Sequence, residues 1–123
     1  MKTNKESAVE FLQMIIAGDI DAAYEKHVDI KGKHHNVHTP AGFDSLKNGM
    51  KQSHETFPNK EFTIQHVISE DDLVAVHSHL ILQKGGIELM LVHVLRFENT
   101  KIVEMWDIAQ QTPTDFVNKD GVF

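Results

Sequence analysis

The 123-residue chain contains no cysteine, only three prolines and few aromatic residues, which make up 7% of the sequence. The lack of cysteine excludes disulfide bonds and thiol catalysis within these residues. No uninterrupted apolar run approaches the roughly 18 residues of a membrane-spanning helix. The N-terminal residues lack the apolar core of a signal peptide, so we expect a cytoplasmic protein.

Positive charge is also scarce, since 12 lysines and arginines stand against 18 aspartates and glutamates and leave a formal net charge of −6. Nucleic-acid surfaces and anionic membrane surfaces both require a basic face on the protein. We therefore expect neither as a partner. A hydrophobic content of 41% is ordinary for a globular protein, and the length predicts a single domain over residues 1–123.

Hydrophobic periodicity predicts helices in the first half of the chain. Residues 3–6, Thr-Asn-Lys-Glu, have the form of a capping box, and apolar residues then recur at helical spacing as far as Gly18. A second helix is expected after Asp19. Residues 29–42 are predicted to be a loop, and a third helix follows and ends before Pro58.

After Pro58 the apolar residues alternate with polar ones, which predicts strands. A three-residue turn at 84–86 and a two-residue turn at 99–100 are expected to join the last strands into hairpins. The four predicted strands cover 61–68, 73–83, 87–98 and 101–110. The order of elements predicts an α+β domain whose sheet curls over the helices, with a concave face of the kind that holds ligands.

Histidine is abundant, with nine copies, and three of them lie in two neighbouring predicted strands. With these turn lengths, His77 would face His93, and His93 would face Trp106. Directly paired residues share a face of the sheet, and His79 would share that face one step along. The sequence therefore predicts a row of His77, His93 and Trp106, which a bulge in either hairpin would break.

Such a row predicts a pocket suited to acid–base chemistry, because imidazole titrates near neutral pH. In this interpretation His93 is the catalytic base and His77 its partner acid. The alternative is that each histidine is a core or rim residue satisfied by one hydrogen bond.

Further candidates would contact a ligand rather than react with it. Residues of the 29–42 loop could cover the open end of the sheet, where loop residues often shape a site. Strict alternation places the side chain of Asp107 on the sheet face opposite to that of Trp106. A bulge in the strand would turn it to the face that carries the histidine row. The candidate ligand-binding residues are His35, Asn36, His79, Trp106 and Asp107.

A metal site is a further alternative, since His77, His79 and His93 could supply three imidazoles, as catalytic zinc sites do. No carboxylate stands at an obvious fourth position on that face, and the spacing matches no strong metal motif. We therefore expect no metal and no other cofactor.

Three stretches of the chain resemble the SnoaL-like branch of the nuclear transport factor 2-like superfamily. They are His34-His35-Asn36, residues 91–104 with Lys-Ile-Val-Glu at the end, and Trp106-Asp107-Ile108-Ala109-Gln110. The resemblance implies a cone of three helices and a bent sheet, an internal pocket, and a homodimer formed through the outer sheet face. It also implies cofactor-free acid–base catalysis of the polyketide cyclase, isomerase or dehydratase type.

The chain departs from the family pattern at several positions. His93 stands where many relatives carry Asp, Val37 where Pro follows the loop motif, and Met105 where His often precedes the Trp. We expect a protein that binds a small carbonyl compound and acts on it by acid–base chemistry. A non-catalytic ligand-binding or dimeric interaction module and a His-coordinated metal enzyme are the alternatives.

Overall fold

A computed structural model describes residues 2–115 and 117–123 of the chain. In this described part, three helices pack on one five-stranded sheet with the strand order β1-β5-β4-β3-β2. All neighbouring strands are antiparallel except the parallel pair β1 and β5. The elements are α1 (Asn4–Ala17), α2 (Ile20–His27), β1 (Val28–His34), α3 (Phe43–Thr56), β2 (Glu61–Glu70), β3 (Leu73–Ile81), β4 (Glu88–Glu98) and β5 (Lys101–Gln111). The predicted α+β class is confirmed.

Helix α1 begins and ends with the local signals expected from the sequence. The Thr3 hydroxyl accepts a hydrogen bond from the Glu6 N–H at 3.2 Å, and the Thr3 N–H donates to the Glu6 carboxylate at 3.0 Å. Gly18 ends the helix with a positive φ of 93°, a conformation that glycine adopts without steric cost. The predicted capping box is confirmed.

The prediction that residues 29–42 form a loop is wrong in its first part, because β1 runs as far as His34 beside β5. Its exposed charged residues obscure any apolar alternation, and its pairing depends on a strand far along the chain. A Cβ at Gly32 would collide with the Val103 carbonyl and the Phe43 ring. Glycine is therefore needed where β1 passes close to β5.

Buried side chains from the helices and from the inner face of the sheet, which faces the helices, form the core. Full burial of a large apolar side chain contributes about 1.5–3 kcal/mol. The largest fully buried apolar side chains are Phe11, Phe43, Leu95, Ile102 and Met105.

The predicted pairing of His77 with His93 is wrong. His77 pairs with Val92, and His93 pairs with Val76. Because neighbours along a strand point to opposite faces, His77 lies on the outer face of the sheet and His93 on the inner face.

The cause is the turn between β3 and β4. The Leu82 N–H donates to the Ile87 carbonyl at 3.0 Å, so four residues lie between the closing pair instead of three. This register places Val74 and Val76 in the core at 0% exposure. The predicted register would have buried two imidazoles on β3 and exposed those two valines, which is the less favourable choice.

The turn between β4 and β5 has the predicted length. Asn99 and Thr100 both have positive φ, at 50° and 68°, and Glu98 pairs with Lys101. A two-residue hairpin turn of this type requires positive φ at both central positions.

A register shift follows this turn and breaks the predicted pairing of His93 with Trp106. The register is irregular between Arg96 and Phe97, and beyond that point His93 pairs with Asp107. Trp106 therefore lies on the outer face. Asp107 lies on the inner face, as the sequence analysis predicted for the case in which β5 contains a bulge.

Burial explains why the bulge occurs. Ile102 and Met105 are both buried, at 0% and 1% exposure, although they are three residues apart. Strict alternation would bury Glu104 and expose Met105. One extra residue in β5 places the methionine in the core and the carboxylate on the outer face, where it pairs with Arg96 at 3.1 Å.

Within residues 2–115 and 117–123, no helix is long and apolar enough to cross a bilayer.

Candidate functional site

A cavity of about 420 Å³ lies between the inner face of the sheet and helices α1 and α3. This volume is within the range of small-molecule sites. Its walls are mainly apolar side chains, among them Leu12, Ile15, Leu46, Met50, Phe62 and Leu91. Its polar lining residues are Asn36, His38, Ser53, Lys60, His93 and Asp107.

A larger groove of about 540 Å³ runs between α2 and β1 but opens widely to solvent. Charged residues such as Asp21, Lys47 and Lys101 line it. The cavity between the sheet and the helices is the better candidate for a ligand site, because it is more enclosed and its apolar wall carries a few polar groups.

His93 is the most deeply buried titratable group of the cavity, with 9% of its surface exposed. Its Nδ1 atom has no hydrogen-bond partner within the described part of the chain. Burial lowers the pKa of His93 below its ordinary 6.5, and the negative charge of Asp107 opposes that shift. His93 is therefore a neutral imidazole at neutral pH and can accept a proton.

Asp107 lies directly across from His93 on β5, which places their Cβ atoms roughly 5 Å apart. The side-chain N–H of Asn36 donates to Asp107 Oδ2 at 2.8 Å. Asn36 Oδ1 accepts from the His38 N–H and the Thr39 hydroxyl, each at 2.9 Å. These two bonds fix the orientation of the amide, so that its Nδ2 points at the carboxylate.

Buried His34 holds the backbone of this loop. Its Nδ1 accepts from the Asn36 N–H at 3.1 Å, which leaves Nε2 to donate to the Pro40 carbonyl at 2.8 Å. The hydrogen bonds thus specify the tautomer of the ring. The chain of contacts from Pro40 through His34 and Asn36 ends at Asp107 in the cavity.

The other predicted site residues on β3 lie on the outer face. The Nδ1 atoms of His77 and His66 are 3.0 Å apart, and the two rings stack at 5.3 Å. His79 Nε2 lies 2.8 Å from a carboxylate oxygen of Glu88, and the Phe123 ring covers His79 at 4.4 Å. The sheet separates both predicted histidines from the cavity, so their predicted placement beside His93 is wrong.

His35 and Trp106 also lie on the outer face. Their rings stack at 5.1 Å, and His35 Nε2 donates to Glu104 at 2.6 Å. The hydrogen bond from His35 is the main cause that lowers the pKa of Glu104, with Arg96 adding to it. Of the seven predicted site residues, the structure brings only three together at the cavity: His93, Asn36 and Asp107.

The three imidazoles of the predicted metal alternative do not converge. His93 lies on one side of the sheet, and His77 and His79 lie on the other. Across residues 2–115 and 117–123, no cluster of three or more His, Asp or Glu side chains is arranged to hold a metal ion.

Lys60 is a cavity residue that the sequence reasoning missed. Its ammonium donates to the carbonyls of Ser53 at 3.2 Å and Phe57 at 3.0 Å, at the C-terminal end of α3. Burial lowers its pKa. Its partners are local, three and seven residues earlier in the chain, but they are backbone carbonyls, so no side-chain pattern in the sequence marks this residue.

Residues 8–105 match the profile of the SnoaL-like domain. The chain belongs to this family. No curated protein matches the sequence of the chain.

Several solved structures share the fold. IdmH of Streptomyces antibioticus, a proposed polyketide cyclase, is 17% identical with a TM-score of 0.72 over 88% of this chain and 92% of its own. A SnoaL-like polyketide cyclase of Agrobacterium tumefaciens is 15% identical with a TM-score of 0.73 over 89% and 93%. AclR of Streptomyces galilaeus, a proposed hydroxylase, is 19% identical with a TM-score of 0.65 over 82% and 86%. At these identities the likeness shows the fold and does not transfer an activity.

Proposed function

We propose that this protein is an acid–base enzyme that needs no cofactor and acts on a small carbonyl compound, with His93 as the base. The observation that carries the proposal is the pair of His93 and Asp107 in one enclosed, mostly apolar cavity. Asp107 takes the place that the sequence analysis gave to His77. Its role is to stabilise the charge on His93, not to donate a proton.

The reaction begins when the neutral imidazole removes a proton from the carbon next to the substrate carbonyl. The C–H bond breaks, an N–H bond forms, and the electron pair moves into an enolate whose charge rests on oxygen. Where a C=C bond of the substrate is conjugated with the enolate, the imidazolium can return its proton to the far carbon of that system, which shifts the double bond and isomerises the substrate. In the aldol route the enolate carbon instead attacks a second carbonyl of the substrate, so that a C–C bond forms, the C=O π bond breaks, and the resulting alkoxide takes the proton from the imidazolium. Each route uses only groups that the cavity and the substrate contain.

The carboxylate of Asp107 favours the proton transfer, because an imidazolium beside a negative charge is more stable than an isolated one. The hydrogen bond from Asn36 keeps this carboxylate oriented. The apolar wall excludes water and strengthens each electrostatic contact to the developing charge. A neutral base, a fixed carboxylate and an apolar wall together form a site that favours enolate formation.

The names of two similar structures support the same substrate class. IdmH is a proposed polyketide cyclase and the Agrobacterium tumefaciens protein is a SnoaL-like polyketide cyclase, and polyketides are rich in carbonyl groups. The proposal does not depend on that likeness, because the pair of His93 and Asp107 is a property of this chain.

The proposal is tested by proton exchange at a probe ketone. Purified protein is mixed in D₂O with 2-acetonaphthone or 1-indanone, and loss of the signal of the protons beside the carbonyl is followed by NMR. We expect wild-type protein to accelerate the exchange and His93→Gln to lower the protein-dependent rate about 100-fold or more, the usual contribution of a general base. His77→Gln, the matched change on the outer face, should keep the wild-type rate.

Two results would contradict catalysis by His93. One is equal exchange by wild type and His93→Gln. The other is saturable binding of the probes to the wild type with no exchange at all, which would favour the non-catalytic binding module.

We also propose that two copies associate through the outer face of the sheet. Large apolar side chains are exposed there, with Ile68 at 65%, Ile108 at 60% and Leu73 at 39%. Light scattering after size exclusion should give twice the mass of one chain for the wild type and a smaller mass for Ile108→Glu. A monomeric wild type would refute this part of the proposal.

A further inference from the structure

We propose that the cavity binds its carbonyl compound by a second group, a carboxylate, which pairs with the ammonium of Lys60 at the end opposite to His93 and Asp107. The inference rests on the proposed function, because it names the substrate class of the same cavity. The substrate would be an amphipathic keto acid: a carbonyl end, an apolar body and an anionic end.

The strand register shows that the two polar groups lie far apart. Phe62, Leu80 and Leu89 pair across β2, β3 and β4 and form one line across the inner face. His93 lies four residues further along β4, roughly 14 Å at the usual rise per residue. Lys60 precedes Phe62 by two residues, so it lies beyond that line, away from His93.

The walls between these two ends are apolar. Leu91 lies between Leu89 and His93 along β4, and Ile15 of α1 and Met50 of α3 line the helical side of the cavity. A ligand that reaches from one polar end to the other must therefore carry a largely apolar body. The cavity excludes a compound that is polar along its whole length, because its polar groups would lose water without gaining partners.

The charge of Lys60 lacks a counterion among the described residues. Its two hydrogen bonds go to neutral carbonyls, and no carboxylate of residues 2–115 or 117–123 forms a salt bridge with it. Lys101 makes a similar pair of bonds to the carbonyls of Glu25 and Lys26, but it lines the open groove, whereas Lys60 lines the enclosed cavity. An ammonium has three N–H donors, so one remains for a ligand.

A structural role for Lys60 accounts for only part of this arrangement. The carbonyls at the end of a helix carry partial negative charge and favour a cation, so they explain why Lys60 stays in place. They do not remove the positive charge of this half-buried side chain, whose pKa partial burial lowers. A ligand carboxylate offsets the cost of that burial, since charge-assisted hydrogen bonds are the strong ones.

The test compares two probes of nearly the same shape, 6-acetyl-2-naphthoate and 2,6-diacetylnaphthalene, which differ by a carboxylate in place of an acetyl group. Their dissociation constants are measured by calorimetry. We expect wild-type protein to bind the naphthoate about tenfold more tightly than the neutral probe, as one hydrogen bond between charged groups provides. Lys60→Met should remove this preference and leave the affinity for the neutral probe unchanged.

Three further variants keep the test decisive. Lys60→Gln removes the charge but keeps an N–H donor for the helix carbonyls, so it should lose the preference even if Lys60→Met folds poorly. Lys60→Arg should restore it. Lys31→Met, at an exposed position on β1, removes the same charge from the surface and should leave the preference unchanged.

Equal affinity of the two probes for wild-type protein would overturn the inference. So would a preference that persists in both Lys60→Gln and Lys60→Met. The result is independent of catalysis: a preference that depends on Lys60, in a protein that exchanges no protons, would support the anionic subsite and refute the enzyme. Proton exchange that depends on His93, in a protein with no preference that depends on Lys60, would support the enzyme and refute the anionic subsite.

Discussion

The two faces of the sheet use the same residue type in different ways. On the inner face, His93 is buried with a lowered pKa, and it lines an apolar cavity beside Asp107. On the outer face, His77 stacks on His66, and His79 pairs with Glu88. Each of these outer imidazoles has a side-chain partner for one ring nitrogen. The inner imidazole has an unpartnered Nδ1 among the described residues and lines the cavity, where a ligand can reach it.

This difference shows that a count of histidines does not locate a site. His77 and His93 lie on opposite faces of the sheet because the turn between β3 and β4 has four residues instead of three. The length of this turn therefore decides which of the two histidines lines the cavity and can act there as a base. Neighbouring residues on β5 show the same contrast, since Trp106 packs on His35 outside and Asp107 lines the cavity inside. Each of the following changes alters one face and has a matched change on the other.

The largest expected effect is on stability. Leu95→Ala removes a fully buried inner side chain and should lower the free energy of unfolding by about 2.7–5 kcal/mol. Ile108→Ala changes an outer position that is 60% exposed and should cost less than about 0.5 kcal/mol. Urea denaturation measures both. Both variants are compared at a protein dilution at which light scattering shows the monomer, because Ile108 also lies in the proposed dimer contact. Equal losses under these conditions would refute the assignment of the two faces.

The next effect concerns the two adjacent residues of β5. Asp107→Asn keeps the shape of the side chain but removes its charge, and it should slow proton exchange by the cavity about 100-fold, or about 2.7 kcal/mol in the barrier. Trp106→Phe should change the rate less than about twofold, because Trp106 contacts His35 on the far side of the sheet. The account fails if the tryptophan variant loses more activity than the aspartate variant.

A smaller effect is expected in the loop that follows β1. Asn36→Ala removes the hydrogen bond to Asp107 and should lower the exchange rate about tenfold, since a misdirected carboxylate still supplies its charge. Asn36→Gln retains the amide but changes its position, so it also tests whether the orientation of the Asp107 carboxylate matters for the exchange rate. His35→Ala changes the neighbouring residue, which bonds Glu104 outside, and a loss as large as that of Asn36→Ala would contradict the positioning role.

The smallest effect is the pH dependence of stability. Since the pKa of His93 in the folded protein lies below its ordinary 6.5, the unfolded chain binds the proton more readily. The stability due to neutral His93 is complete above pH 6.5 and is lost as the pH falls through 6.5 toward the folded pKa. His27 acts in the same direction, because burial lowers its pKa too.

Urea denaturation at pH 7.5 and 5.5 separates the two contributions. We expect the loss of stability on acidification to be smaller in His93→Gln than in the wild type, with part of it retained because of His27. His77→Gln serves as the outer-face control. An unchanged loss in His93→Gln would show that burial does not destabilise the charged form of His93.

The sequence predicts the features that depend on near neighbours. The capping box of α1 and the turn at Asn99 and Thr100 are local, and both are present. The alternation on β4 is also correct, since Leu91, His93 and Leu95 all face inward. The order of the three helices and of strands β2 to β5 is likewise predicted from the periodicity of the apolar residues, and the structure has that order.

What the sequence analysis missed depends on residues from several strands at once. The bulge in β5 exists because Met105 fills the core while Glu104 reaches Arg96 and His35 on the outer face. A signal for it was present: strict alternation after Ile102 would have buried the Glu104 carboxylate without a charged partner. The strand β1 carries no comparable signal, because its partner among the described residues is β5, far along the chain.

The central claim, that His93 is a neutral base coupled to Asp107 inside the cavity, is tested most directly by a histidine-resolved NMR pH titration. The His93 resonances are assigned by their absence in His93→Gln, and the titration is repeated in Asp107→Asn. We predict that His93 titrates below pH 6.5 and lower still in Asp107→Asn, because the aspartate charge raises its pKa. Titration of His93 at or above pH 6.5, or no change in Asp107→Asn, would contradict the account.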